Sequence, residues 1–446
     1  MNEVTEKIIA EIRKQGVLSV ARFMELALYC PVYGYYEKEP DRIGRRGDYY
    51  TSVSVGSLFG ELLAWQFAEW FRGSEPAEKC QESGVECHRN GHDRRGARGA
   101  QRRGGNDQRE GTAEAEEERA NGRPRFQIVE AGAHRGELAK DILAWLKERS
   151  DGVYQHLEYC IVEPSSRRRE WQAERLKDFS GKVVWAGDLG ELGRGAARDI
   201  TAPGSKAGHA LTPTQGPQSE PVISQTGYRI VVSNELLDAM PVHRLGWDAQ
   251  LRAWFEWGIT MEEGRLAWTR IPIPSHLVPQ PSPIEAVLPD GFTYEVSPAA
   301  IDWWRQAASA LPSGRLIAFD YGLTSEEILT PERCRGTLRA YSRHMQGSDV
   351  LAKPGEQDIT AHVNFSAVQQ AGEAAGLTTE ALVTQGQFLT GIAEKIFRGT
   401  PGFGEWTSAR TRQFQTLTHP DHLGRAFRVL VQGRCGGQGG AAAGDW

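Results

Sequence analysis

Short apolar runs and helical stripes take turns along this chain. Arg125 to Glu130 (Arg-Phe-Gln-Ile-Val-Glu) reads as a β run, and Glu137 to Arg149 sets Leu138, Ile142, Leu143 and Leu146 at helical spacing. A strand is predicted over Leu157 to Glu163, then a charged helix over Ser165 to Phe179 with Ser165 as its N-cap. Val183 to Ala186 and Tyr228 to Ser233 read as the third and fourth strands. A helix over Pro298 to Leu311 precedes a fifth strand at Arg315 to Asp320, and Arg425 to Val431 closes as an apolar β run. Strands that are continuously apolar and that alternate with helices predict an α/β fold, a parallel doubly wound sheet covered on both faces.

Several stretches depart from that rhythm. Val242 to Pro272 has hairpin character, with Glu262-Glu263-Gly264 as a turn and Trp247, Trp254, Phe255, Trp257 and Trp268 spread over it. It predicts a β-rich accessory element, 242–297, over the carboxyl ends of the strands, with most of these aromatics packing and one or two lining a groove. Residues 73–124 carry Arg94, Arg95 and Arg98 beside Glu114, Glu116, Glu117 and Glu118, and 193–227 is rich in Ala, Gly, Pro, Ser, Thr and Gln. Neither stretch can bury enough apolar area to offset its ordering entropy, so both read as disordered inserts, and 433–446 as a loose tail. The sheet domain is thus expected in pieces: 125–192, a strand and acceptor loop at 228–241, and 298–432. Residues 1–72 form an N-terminal helical region that lids the site.

Length and charge narrow the classes. The 446 residues allow two or three domains, and a net charge of -6 supplies no global basic face for nucleic acid. No run approaches the roughly 18 apolar residues of a membrane span. Met1 to Gly16 is amphipathic, with Glu3, Glu6 and Glu11 among its lysines. Secretory and mitochondrial leaders lack such acids, which predicts a cytoplasmic protein. Six scattered cysteines suit reduced thiols; Cys80, Cys87, His88 and His92 match no common zinc spacing, and no metal is expected.

Candidate chemistry sits at the strand ends, where a doubly wound sheet binds its ligand. The first strand runs into Glu130-Ala-Gly132-Ala-His134-Arg-Gly136, glycines that let a backbone turn sharply and approach a ligand. The dinucleotide pattern Gly-x-Gly-x-x-Gly fails, because its later glycines fall on His134 and Glu137. The methyltransferase pattern acid-x-Gly-x-Gly-x-Gly fits at three of four fixed positions, with His134 as the exception. An acid before the loop suits a cationic cofactor, and the loop predicts S-adenosylmethionine. Glu163, ending the second strand, is placed to accept from both ribose hydroxyls, with a surface acid as the plainer alternative, and Asp188 to reach the adenine amino group. The fourth strand ends in Asn234-Glu235-Leu-Leu-Asp238, more polar groups than a structural turn needs, where a methyl acceptor would face the sulfonium.

Together these segments resemble the MidA family, methyltransferases linked to assembly of mitochondrial complex I. The resemblance starts with Cys30-Pro31-Val-Tyr33-Gly34-Tyr35-Tyr36, Gly47-Asp48-Tyr-Tyr-Thr51 and Phe59-Gly60-Glu61. It continues through Val129 to Gly132, Glu163, Asn234 to Pro241, Asp320-Tyr321-Gly322, Gly336 to Tyr341, His344 and Asp358 to Phe365. This covers nearly all of the chain outside the inserts. The sequence departs from the family at His134, at Ser52-Val53-Ser54 in place of Ala-Pro-Glu, and at Asn364 in place of aspartate.

The resemblance implies a class I methyltransferase, Rossmann-like, that transfers methyl groups to an arginine of a partner protein, a respiratory NADH dehydrogenase subunit in the best-known case. Gly47, Asp48 and Thr51 would then join Glu130, Gly132, Gly136, Glu163 and Asp188 around the cofactor. Glu235, Asp238 and Asn234 would hold the acceptor, with Asp358, His362 and His344 completing the pocket. A guanidinium is a poor nucleophile until carboxylates orient and polarise it. A non-catalytic assembly chaperone, or a methyltransferase for a small molecule or RNA, would keep the same cofactor loop. RNA calls for basic residues interleaved with aromatics, which the arginine-rich insert lacks. A homodimer is compatible with the sequence.

Overall fold

The computed structural model describes residues 2–38, 51–74, 126–193, 227–342, 345–347, 349–399 and 402–434. Both inserts, almost all of the 433–446 tail, Gly47, Asp48, His344 and the Cys80, Cys87, His88 and His92 group lie outside the described residues or nearly so. Two helices lead the chain, Glu3–Gln15 and Val20–Tyr29, separated by the two-residue strand β1 (Leu18–Ser19). Each starts on a side-chain cap: Asn2 accepts from the Thr5 N–H, and Ser19 from that of Arg22. The helix Leu58–Ser74 follows.

Next come β2 (Phe126–Ala131), β3 (Leu157–Val162), β4 (Val183–Ala186) and β5 (Tyr228–Asn234). After them β6 (His243–Asp248), β7 (Ala253–Glu262), β8 (Arg265–Ile271) and β9 (Thr293–Val296) build the accessory sheet, which β1 joins through Leu18 opposite Ile259. The long strand β10 (Gly314–Leu323) is followed by a small sheet of β11 (Arg339–Ser342), β12 (Met345–Gly347) and β13 (Asp358–Thr360). Strand β14 (Val363–Asn364) pairs with the end of β10, and β15 (Thr378–Thr384) and β16 (Phe427–Arg434) complete the central sheet.

The central order is β15-β16-β10-β5-β2-β3-β4, parallel except for β16, which is antiparallel to both its neighbours. Alternate residues feed two cores. Ile128, Val232 and Phe319 pack under the helices Leu58–Ser74, Glu137–Arg149 and Gln385–Gly399, while Val129, Val231 and Ala318 pack under Pro298–Ser309 and Phe365–Ala374. All six β2 residues are buried, Gln127 and Glu130 among them, so the strand shows no strict alternation of apolar and polar positions. The strand order reverses between β2 and β5, so a crevice opens at their carboxyl ends.

Residues 1–72, expected as one helical lid, divide between layers. Leu58–Ser74 lies on the central sheet, whereas the first two helices share a third core with Ile259, Ala340 and Ile359. The aromatics of the accessory element pack on one another, Trp247 against Trp254 at 5.1 Å and Trp254 against Tyr294 at 5.3 Å. No helix among the described residues is long and apolar enough to cross a membrane.

Candidate active site

A cavity of about 690 Å³ occupies the crevice, lined by the loop after β2, the ends of β3 and β5, and Trp303. The β2 loop takes left-handed backbone three times, at Gly132 (φ 77°), His134 (φ 46°) and Gly136 (φ 80°). At Gly132 a Cβ would also stand 3.1 Å from Leu236 Cδ1 and 3.3 Å from its Cβ, so that side chain would have to give by a few tenths of an ångström. His134 has no such freedom, and its carbonyl is held by the Gln172 side chain at 2.9 Å. Burial, then Arg168 nearby, lowers the His134 imidazole to about 4 and keeps it neutral.

Glu130 stands behind the loop and accepts from the Tyr159 hydroxyl at 2.7 Å; burial outweighs that bond and raises its carboxyl to about 7. Glu163 is buried with its oxygens already engaged. Oε1 takes the Ser165 N–H at 2.9 Å and Arg168 Nε at 3.0 Å, and Oε2 takes Gln172 at 3.3 Å. Arg168 and Gln172 lie in the helix Ser166–Arg175, in its first and second turns after Glu163. They were not singled out in the sequence, where that helix reads as solvated charge. Thr51 and Asp188 line the same cavity, Asp188 from an exposed position where it caps the Glu191 N–H.

A second cavity, about 440 Å³, adjoins the first, and Tyr36 and Glu235 line both. Asp238, Asp358 and His362 line it too, so the structure brings together the acids and the histidine expected from distant segments. Asn234 opens into the first cavity instead, and its side chain donates to Glu235 Oε1 at 3.0 Å. Glu235 is left-handed (φ 53°), takes the Ser52 N–H at 3.3 Å on the same oxygen, and has a buried Oε2 without a hydrogen-bond partner. Non-glycine residues held in that region concentrate at functional sites. Asp358 accepts from the Tyr36 hydroxyl at 2.7 Å. The His362 Nδ1 is buried and unpaired, and burial, then Arg333 and Arg339, lowers the ring to about 4.

Asp320, at the end of β10, was not a candidate, though the fifth strand pointed straight at it. Its buried carboxylate accepts from the backbone N–H groups of Leu237 at 2.8 Å, Leu236 at 3.1 Å and Tyr321 at 2.9 Å. It thereby fixes the loop that carries Glu235 and Asp238.

These acids crowd one another. Burial, then Asp320, raises Glu235 to about 8; burial raises Asp320 to about 7 against its backbone donors and drives Asp238 well above the carboxylate range. The folded protein therefore keeps protons that the unfolded chain has released above about pH 4.5, and its stability falls as pH rises toward the folded values. Above about pH 6.5, where His134 and His362 are neutral in both states and no longer oppose it, the melting temperature of the free protein is expected to drop toward about pH 8, less steeply in Glu235→Gln. A flat profile in the parent protein would show that the carboxyls are not crowded.

Residues 113–383 match the sequence profile of a family described as S-adenosyl-L-methionine-dependent methyltransferase. The chain belongs to that family. Similar proteins include the mitochondrial protein arginine methyltransferase NDUFAF7 of Xenopus tropicalis, 27% identical over 89% of this chain and 76% of the relative. Its Homo sapiens counterpart is 26% identical over 80% of this chain and 66% of the relative. A crystallised superfamily member from Burkholderia thailandensis, bound to S-adenosyl-homocysteine, is 25% identical with a TM-score of 0.67, covering 99% of this chain and 94% of its own.

This methyltransferase uses S-adenosylmethionine, as the β2 loop predicted. The cytoplasmic expectation is overturned, since these relatives are named as mitochondrial proteins. It rested on the acids of Met1 to Gly16. Glu3 and Glu6 stand in the first turn of a packed helix, where negative charge favours the helix dipole, so they report on the fold and not on an address.

Proposed function

We propose that this methyltransferase transfers the methyl group of S-adenosylmethionine to an arginine side chain of a partner protein. The observation that carries the reading is the crowd of buried carboxyls where the two cavities meet, with one Glu235 oxygen unpaired. Acids held against their own charge in a buried pocket gain most from a cation, and a guanidinium offers a planar fork of donors to them. The relatives named protein arginine methyltransferases support the same substrate.

In this reading the cofactor lies in the larger cavity against the β2 loop, with Glu163 facing the ribose through Oε2, which carries a single donor at 3.3 Å and keeps a lone pair to accept with, and Asp188 facing the adenine. Glu235 and Asp238 hold the guanidinium so that one nitrogen faces the sulfonium methyl in line. The N–C bond forms as the S–C bond breaks, S-adenosylhomocysteine leaves, and the nitrogen's proton passes to a carboxylate of the pocket. Rate enhancement comes from positioning and fixed charge.

The test is transfer of labelled methyl from S-adenosylmethionine to mitochondrial protein extract, with the labelled residue identified by mass spectrometry. Label on arginine is expected. Label on lysine, or only on a small molecule or RNA, would overturn the substrate.

A further inference from the structure

The smaller cavity has a polarised wall. Strands β11 and β13 pair antiparallel with Arg339 opposite Thr360, Ala340 opposite Ile359, and Tyr341 opposite Asp358. Side chains alternate across such a pair. Ala340 and Ile359, both fully buried, face the core shared with the N-terminal helices. Arg339, Tyr341, Asp358 and Thr360 all face the cavity. One end of this wall is thus a carboxylate, beside Glu235 and Asp238, and the other end is a guanidinium. Two residues along an antiparallel strand span about 7 Å, comparable with an extended arginine side chain.

Arg339 is held in place by its own strand end. Its Nη1 donates to the carbonyls of Leu338 at 2.8 Å and Gly336 at 3.3 Å. Among the described residues no carboxylate lies within ion-pair distance of it; the Glu295 carboxylate next to Gly336 takes the backbone N–H and hydroxyl of Thr337 instead. A cation lining a pocket for a cation would weaken acceptor binding unless the acceptor also brings an anion to it.

We propose that Arg339 is a specificity-determining residue that pairs with an acidic side chain next to the target arginine, so that the preferred acceptor is an arginine with a glutamate or aspartate beside it. This rests on the arginine reading. With the target guanidinium at the Asp358 end, Arg339 lies at the level of the acceptor's backbone, where a neighbouring carboxylate meets the free edge of its fork. A lysine or arginine in that neighbouring position meets repulsion.

The experiment uses synthetic peptides with one central arginine flanked by glutamate, alanine or lysine, each assayed for kcat/KM with labelled S-adenosylmethionine. The parent protein is expected to favour the glutamate peptide over the lysine peptide by about tenfold. In Arg339→Gln the ratio should collapse to within about twofold, and Arg339→Lys should restore part of it by charge without the fork. The parent's preference should also shrink between about 50 mM and about 500 mM salt, a reading that needs no variant to fold. Equal use of all arginine peptides by the parent, or an unchanged preference in Arg339→Gln, overturns the role of Arg339 and leaves the arginine reading standing. Transfer to none of them, or only to a lysine, overturns the arginine reading and this one with it.

Discussion

Glu235→Gln is expected to lower methyl transfer by about 10²–10³-fold, roughly 3–4 kcal/mol, while the fold is kept and cofactor affinity stays near the parent's. Once a bound guanidinium favours the ionised form of Glu235, the substitution differs from the parent by that single charge. Oε1 keeps its contacts with the Ser52 N–H and the Asn234 amide, and the backbone strain at φ 53° is unchanged. What is lost is the unpaired Oε2, the one oxygen of this carboxylate free to grip a guanidinium. Asp238→Asn should act likewise, with the pair less than additive if both hold one group. Glu163→Ala should show the opposite profile, weakening S-adenosylhomocysteine binding by about 1–3 kcal/mol in calorimetry. Single-turnover transfer beside cofactor titration separates the cases, and full transfer by Glu235→Gln would remove the clamp from the mechanism.

Asp320→Ala should destabilise the fold by about 3 kcal/mol as well as abolish transfer. Its carboxylate is fully buried and satisfies three backbone N–H groups of the Leu236, Leu237 and Tyr321 peptides. Alanine would leave those donors unpaired in a small cavity, and the loop bearing Glu235 would lose its anchor. Asp320→Asn keeps an acceptor and removes one charge from the acid crowd, so its loss should be clearly smaller. Urea denaturation measures both. If Asp320→Ala unfolds at the parent's midpoint, the loop is held by something else.

Much of this architecture was legible in one dimension because it is written in continuous apolar runs. Val183 to Ala186 and Glu137 to Arg149 fold over the expected residues, β5 runs one residue further than expected, and β10 extends its run at both ends. Strand β15 was not, since Thr378, Thr379 and Glu380 look like a turn until β16 supplies a partner. Short alternating strands such as β11 and β13 carry too few residues for a period to emerge. In the site, local motifs exposed the β2 loop and the Asn234 to Asp238 segment. Contacts made across the chain stayed hidden: Tyr36 on Asp358, Ser52 on Glu235, Asp320 on Leu237. Arg168 is the instructive miss. Its occupation of Glu163 depends on a helix turn whose composition alone reads as surface.

The third core has a consequence for how the protein is made. Ile8, Phe23 and Met24 leave the ribosome early, yet they are covered by Val242, Ile259, Leu338 and Ile359. At about 5–20 residues per second, the apolar faces of the first two helices wait roughly 20–70 s for those partners to be synthesised. Through that interval the nascent chain carries two sticky amphipathic helices with nothing native to cover them. A holding chaperone should therefore be found on ribosome-bound chains that end before β13, and be gone from those that extend past it.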